Sequence, residues 1–170
     1  QPTINNNNNN NNKDNDQQHK NRTVLYVERI GRTSRFVDES DWLKWKIGQR
    51  VEQQQGWQFD IHTGHERIED QMRKFRQADI VIGAHGSGLS NLIFCRPQTS
   101  VIEFPLNRHR VEAMSHLAMS VDLDYWYVPE MSMVVTGYYE LDRRKLQSIL
   151  LTLDQLLLLK SLNSTVNIRC

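Results

Sequence analysis

From Val24 to Ser161 the chain alternates strand-like runs with helix-like segments, and every link between them is short. Val24-Leu25-Tyr26-Val27-Glu28-Arg29 reads as a buried strand, and Glu39 to Gln54 as a helix whose apolar surface is supplied largely by Trp42, Trp45, Ile47 and Val51. Gly56 breaks that helix, and Trp57 to His62 forms a second strand. A charged helix from Glu66 to Arg76 presents Ile68, Met72 and Phe75 inward. The strand Asp79 to Gly83 follows, then a glycine-rich turn and a short helix through Leu92, Ile93 and Phe94 that Pro97 ends. Ser100 to Phe104 is a strand, Val111 to Ser120 a helix, and Leu123 to Val128 a strand. Asp142 to Ser161 closes the pattern as an amphipathic helix with Leu146, Ile149, Leu150, Leu153, Leu156 and Leu157 on one side. Parallel strands joined by right-handed helical crossovers are the physical solution for such a series. The expected fold class is α/β, an open, doubly wound, Rossmann-like parallel sheet. Ligands of such sheets sit beyond the carboxyl ends of the strands, near the switch in strand order.

At that edge the informative stretch is Ala78-Asp79-Ile80-Val81-Ile82-Gly83-Ala84-His85-Gly86-Ser87-Gly88-Leu89-Ser90-Asn91. A β-branched run ends in a turn of tiny residues carrying one imidazole, and a helix-compatible segment begins at once. Gly83, Gly86 and Gly88 allow tight turning and close approach of a ligand to the backbone. The next helix would aim unpaired N–H groups at the crevice, where an anion, above all a phosphate, is the natural occupant. Arg29, Arg32 and Arg35 cluster after the first strand, and arginine grips phosphate oxygens in pairs. Glu103, at the end of its strand, either accepts hydrogen bonds from ribose or sugar hydroxyls or pairs with a neighbouring arginine.

Other patterns carry less. Gly86-x-Gly88-x-x-Asn91 resembles part of a dinucleotide fingerprint, yet it follows the third strand rather than the first, which fits a dehydrogenase poorly. Ser87 lacks the flanking glycines of a hydrolase elbow. Asp122-Leu123-Asp124 reads as a turn and strand start, and His62 and His65 as solvent-facing polarity. Cys95 and Cys170 have no metal-ligand spacing, and Cys95 reads as a small core residue.

The chain has 170 residues, 38% of them hydrophobic, and a formal net charge of +1. This describes one domain, over 22–162, with no electrostatic drive toward nucleic acid. Residues 1–20, with an unbroken Asn run from Asn5 to Asn12, read as a disordered tail, and 163–170 as a C-terminal tail. No signal peptide or membrane span is read, although residue 1 is Gln, as in a mature form or a fragment. The sequons Asn21-Arg22-Thr23 and Asn163-Ser164-Thr165 point weakly to a secretory compartment.

The run from Ala78 to Phe94, followed by Val101-Ile102-Glu103-Phe104, resembles the signature of glycosyltransferase family 61. Upstream, Arg29-Ile30-Gly31-Arg32-Thr33-Ser34-Arg35-Phe36-Val37-Asp38-Glu39 resembles the arginine-containing block of that family. His116-Leu117-Ala118 and Tyr125-Trp126-Tyr127-Val128 resemble its downstream pattern, so that the likeness covers Val24 to Pro129. Ser87 stands where the family usually has alanine, and Asp38 where asparagine is common. The resemblance implies the C-terminal, donor-binding lobe of a two-lobed GT-B enzyme. It further implies an inverting transfer from a nucleotide sugar, a UDP-sugar, to a glycoprotein or polysaccharide acceptor. No cofactor or metal is implied beyond the donor substrate, and a general base is not identifiable. The implied location is the Golgi or endoplasmic reticulum lumen, with a membrane anchor elsewhere in the full-length protein. The nucleotide-sugar site expected on these grounds comprises Arg29, Arg35, His85, Gly86, Ser87, Gly88, Asn91 and Glu103. A non-catalytic nucleotide-sugar or glycan-binding module is the alternative class, and a gene fragment with no independent role a third.

Overall fold

A computed structural model of the chain describes residues 21–28, 37–38, 40–104, 112–128, 132–133, 139–140 and 143–166. The expected tail at 1–20, the last four residues of the expected tail at 163–170, and the arginine-bearing segment at 29–36 lie outside the described residues. Five strands form one parallel sheet: β1 (Arg22–Val27), β3 (Trp57–His62), β4 (Ile80–Ala84), β5 (Ser100–Phe104) and β6 (Asp124–Tyr127). Their spatial order is β3-β1-β4-β5-β6. The expected α/β class is therefore the observed one.

The central strands are apolar on both faces because helices cover both. Along β1, Val24 and Tyr26 enter one core while Leu25 and Val27 enter the other. The first core packs against α1 (Ser40–Glu52) through Leu43, Ile47 and Val51, and against α4 (Arg143–Val166) through Leu146, Ile149, Leu150, Leu153, Leu156 and Leu157. Each such aliphatic side chain, fully buried, contributes about 1.5–3 kcal/mol. The second core packs against α2 (Ile68–Gln77), a 3-10 helix over Ser87–Phe94, and α3 (Ala113–Ser120), through Phe75, Leu89, Leu92 and Ala118. The α1 crossover leaves β1 in one direction across the sheet and the later crossovers run in the other, so right-handedness puts them on opposite faces.

Several side chains depart from the periodicity. Trp42 and Trp45 are 40% and 53% exposed, and Leu43 takes the place they were expected to hold in the core. On α2 only Phe75 is buried, while Ile68 and Met72 face solvent. The segment after the glycine turn is 3-10 rather than α-helical, and α4 continues through Val166, beyond the expected domain boundary at 162. A second sheet, of order β2-β8-β7, joins β2 (Val37–Asp38), β8 (Tyr139–Glu140) and β7 (Ser132–Met133). Two-residue strands carry too little sequence to show an alternation. Asp122, at φ 55°, and Asp124, the first residue of β6, form the expected turn and strand start.

Candidate functional site

β1 is the turning point of the sheet. The chain leaves it through α1 to reach β3 on one side, then returns through α2 to β4 on the other. The two connections diverge at the carboxyl ends of β1 and β4, which is where an open α/β sheet leaves a crevice for a ligand. Glu28 follows β1 there, and His85 follows β4.

Two glycines at this point have a packing reason. Gly83 lies opposite Val27 in the ladder, and a Cβ on it would meet Val27 Cβ at 3.0 Å and Leu89 Cδ2 at 3.1 Å. A Cβ on Gly88 would meet Val27 Cγ1 at 2.9 Å. Val27 is thus seated between two residues without side chains, and the 3-10 helix can lie close against β1. Gly88 therefore has a packing role beside the expected one of letting a ligand approach the backbone: the place of its missing side chain is taken by a valine methyl. The turn keeps another asset. The N–H groups of Gly86, Ser87 and Gly88 have no hydrogen-bond partner among the described residues, and the next N–H, of Leu89, bonds to Gly86 O at 2.9 Å. Consecutive unpartnered N–H groups form a concavity suited to an anion. Ser87 is exposed at the head of this segment.

The imidazole of the turn is held from below. Its backbone N–H bonds to Phe104 O at 2.9 Å, and its Nδ1 lies 2.5 Å from Glu103 Oε1. Glu103 is 1% exposed, and its other oxygen accepts a hydrogen bond from the Tyr125 hydroxyl. A buried carboxylate requires such partners, because leaving either oxygen unpaired costs several kcal/mol on the order of the desolvation penalty. Glu103 therefore orients His85, and its described partners are an imidazole and a phenol, where a sugar hydroxyl or a neighbouring arginine was expected. With Nδ1 directed at the carboxylate, the plane of the ring is fixed at the mouth of the crevice. Tyr125 reaches Glu103 diagonally across β5 and β6: it sits opposite Val101, and Glu103 sits opposite Tyr127.

Asn91 works on the turn. Its Nδ2 donates to Gln71 Oε1 at 3.0 Å and lies 3.4 Å from His62 Nε2, tying the 3-10 helix to α2 and β3. His62 is 1% exposed and stands edge-on to Phe75, contrary to the solvent-facing expectation, while His65 is exposed as expected. Burial pushes the His62 imidazole below its ordinary range, against the upward pull of Glu66. Glu66, 3.2 Å from His62 Nδ1, accepts the N–H groups of Thr63 at 3.0 Å and Gly64 at 2.8 Å. Burial works upward on its carboxyl, but the N–H groups of Thr63 and of Glu66 itself, with His62 and Lys74, bring it down to about 2.

One pair at the crevice escaped the sequence. Glu28 forms an ion pair with Lys44 of α1, which also lies 3.0 Å from Asp41. The Glu28 contact holds the Lys44 ammonium above its usual range, with burial opposing it. The available signal was position alone: Glu28 ends the first strand-like run at the ligand edge. Arg29 and Arg35 lie outside the described residues. Among those described, no three His, Cys, Asp or Glu residues are grouped as a metal would need. Cys95 is buried in the second core, where desolvation pushes its thiol up to about 12.

Residues 5–102 match the family model described as Glycosyltransferase 61. That match covers more than half of the chain, from before β1 through the His85 turn into β5, and ends one residue short of Glu103. The chain is also 33% identical over 61 residues to the beta-1,2-xylosyltransferase RCN11 of Oryza sativa subsp. japonica. The aligned part is 36% of this chain and 11% of that protein, so the chain spans only about a tenth of its relative's length. Strand order, the imidazole turn at the switch point and the family match lead to one statement of kinship: this chain belongs to the glycosyltransferase 61 family.

Proposed function

We propose that this chain binds the nucleotide-sugar donor, a UDP-sugar, of an inverting glycosyltransferase. The carrying observation is the turn at the β1/β4 switch point, where three unpartnered N–H groups stand beside an imidazole clamped by a buried carboxylate. In this reading the diphosphate lies against the N–H groups of Gly86, Ser87 and Gly88. The His85 imidazole contributes a hydrogen bond to a phosphate oxygen, assisted by the charge of that oxygen. Arg29 and Arg35, which follow β1 in the sequence, add charge in this reading. Inversion requires one displacement at the anomeric carbon, in which an acceptor hydroxyl attacks and the nucleoside diphosphate departs with the bonding pair. The turn would stabilise the charge growing on that leaving group. Glu103 and Tyr125 hold the imidazole in place so that no reorganisation is needed as charge develops.

The acceptor, a glycoprotein or polysaccharide, and a general base belong in this reading to a second lobe, and the enzyme works in the Golgi or endoplasmic reticulum lumen. The name of the rice relative makes UDP-xylose the first donor to test. Calorimetry of the 170-residue chain with UDP and UDP-xylose is the experiment. Binding is expected, with affinity weakened about tenfold in His85→Gln, the loss of one charge-assisted hydrogen bond. Incubation with donor and acceptor should give no transfer, since in-line positioning of the two reactants supplies about 7–11 kcal/mol that one lobe cannot provide. Undiminished UDP affinity in a folded His85→Gln protein removes the turn from the site.

A further inference from the structure

A groove of about 650 Å³ runs between α2 and the end of the 3-10 helix, lined by Met72, Arg73, Arg76, Ile93, Phe94 and Arg96 among others. It lies away from the switch point. α2 starts at the carboxyl edge of the sheet and ends at the amino edge, and the groove takes the last turn of α2 and the segment just before β5.

Three features of this groove call for a ligand of mixed character. Its apolar wall is uncovered: Met72 is 41% exposed and Ile93 51%, and Ile68, one turn up α2 from Met72, continues the stripe at 53%. This is the face of α2 whose spacing reads as inward, yet the protein's own core takes only Phe75 from it. Its polar wall is of one sign. Three guanidiniums line it and no carboxylate does. Arg73 is paired with Asp70 at 2.6 Å, and Arg96 is fixed by Asp79 at 2.9 Å and by the carbonyls of Gln77 and Ala78. Arg76 has no carboxylate partner among the described residues, so one full charge is uncommitted. The cavity is flanked by an exposed i, i+4 pair on α2, Ile68 and Met72, the spacing that a second helix reads.

We infer that this groove docks an acidic amphipathic helix of a partner polypeptide. Its apolar side chains, at i, i+4 spacing, would lie across Ile68, Met72 and Ile93, and its carboxylates would meet Arg76 and Arg73. The surface is separate from the donor crevice, so such a partner would hold the protein without blocking the nucleotide.

The test is fluorescence polarisation of the whole 170-residue chain with two labelled helical peptides. Both carry leucine at i, i+4 positions. One has a glutamate background, and in the other every glutamate is replaced by lysine. The acidic peptide should bind and the basic one should not, with affinity falling as salt is raised. Arg76→Glu and Ile93→Asp should each weaken binding about tenfold. Both side chains are exposed, so both variants should keep the parent melting temperature and UDP affinity. The inference is overturned if the two peptides bind equally or not at all, or if neither variant weakens binding. It is also overturned if UDP competes with the peptide, or if the free chain is a dimer that Ile93→Asp dissociates.

Discussion

At the amino edge of the sheet a set of polar side chains bonds to strand-end backbone; at the carboxyl edge a set of side chains bonds to one another around the His85 turn. Asp79 accepts the N–H of Thr23 at 2.9 Å, Thr99 Oγ1 donates to Ala78 O at 3.3 Å, Arg96 reaches two carbonyls, and Lys160 donates to Gln98 O at 2.9 Å. Those bonds satisfy strand ends and fix the register of β1 against β4. Across the sheet the bonds run His85 to Glu103 to Tyr125, Asn91 to Gln71, and Lys44 to Glu28. A bond to backbone stabilises one fold. A bond between side chains aims a functional group, and its loss is felt first in binding. The difference sets an expectation: losing one of these amino-edge bonds should be read in stability, and losing one around His85 in the binding proposed above.

The sharpest way to break the comparison is Asp79→Ala. It removes the acceptor of Thr23 N–H and the partner of Arg96, and should cost about 2–4 kcal/mol in urea unfolding. UDP affinity per folded molecule should not change. A loss in affinity larger than the loss in stability would erase the division between the edges. Next comes Gly88→Ala, whose new Cβ would stand 2.9 Å from Val27 Cγ1. Overpacking of this kind costs about 1–3 kcal/mol. Adding Val27→Ala should restore part of that, and simple additivity of the two changes would show that the glycine is not there for Val27. The smallest effect comes from Glu66, a residue of the carboxyl edge that bonds to backbone and so tests the rule from the other side. Its folded carboxyl sits at about 2 against an ordinary 4.5. The stabilisation is therefore complete above about 4.5 and is lost as pH falls through about 2. Glu66→Gln should be roughly 1–2 kcal/mol less stable than the parent at neutral pH. The gap should close in unfolding curves taken at successively lower pH, and a gap that holds constant would refute the charge-based account.

The sequence made the frame legible because the frame rests on periodicity. Strand runs at 57–62 and 100–104 have the bounds that the pattern predicts, and the six leucine and isoleucine positions of α4 are all buried. Periodicity failed where two residues competed for one place. Leu43 displaced Trp42 and Trp45 from the core, because a compact aliphatic fits against β1 and β3 where an indole does not. His62 was misjudged because its burial depends on Phe75, Asn91 and Glu66, which arrive from three later segments.

By itself the sequence determined the α/β class, the edge at which a ligand would sit, and the turn carrying His85, since short-range spacing and turn chemistry encode all three. Only the tertiary structure decided that β1 separates the two halves of the sheet, since strand order depends on which crossover goes which way. It alone decided that Glu103 contacts His85 and Tyr125, and that Gly88 makes room for Val27. These are contacts between residues many positions apart. No local pattern records them, because they are fixed only when separate strands and helices pack into one volume.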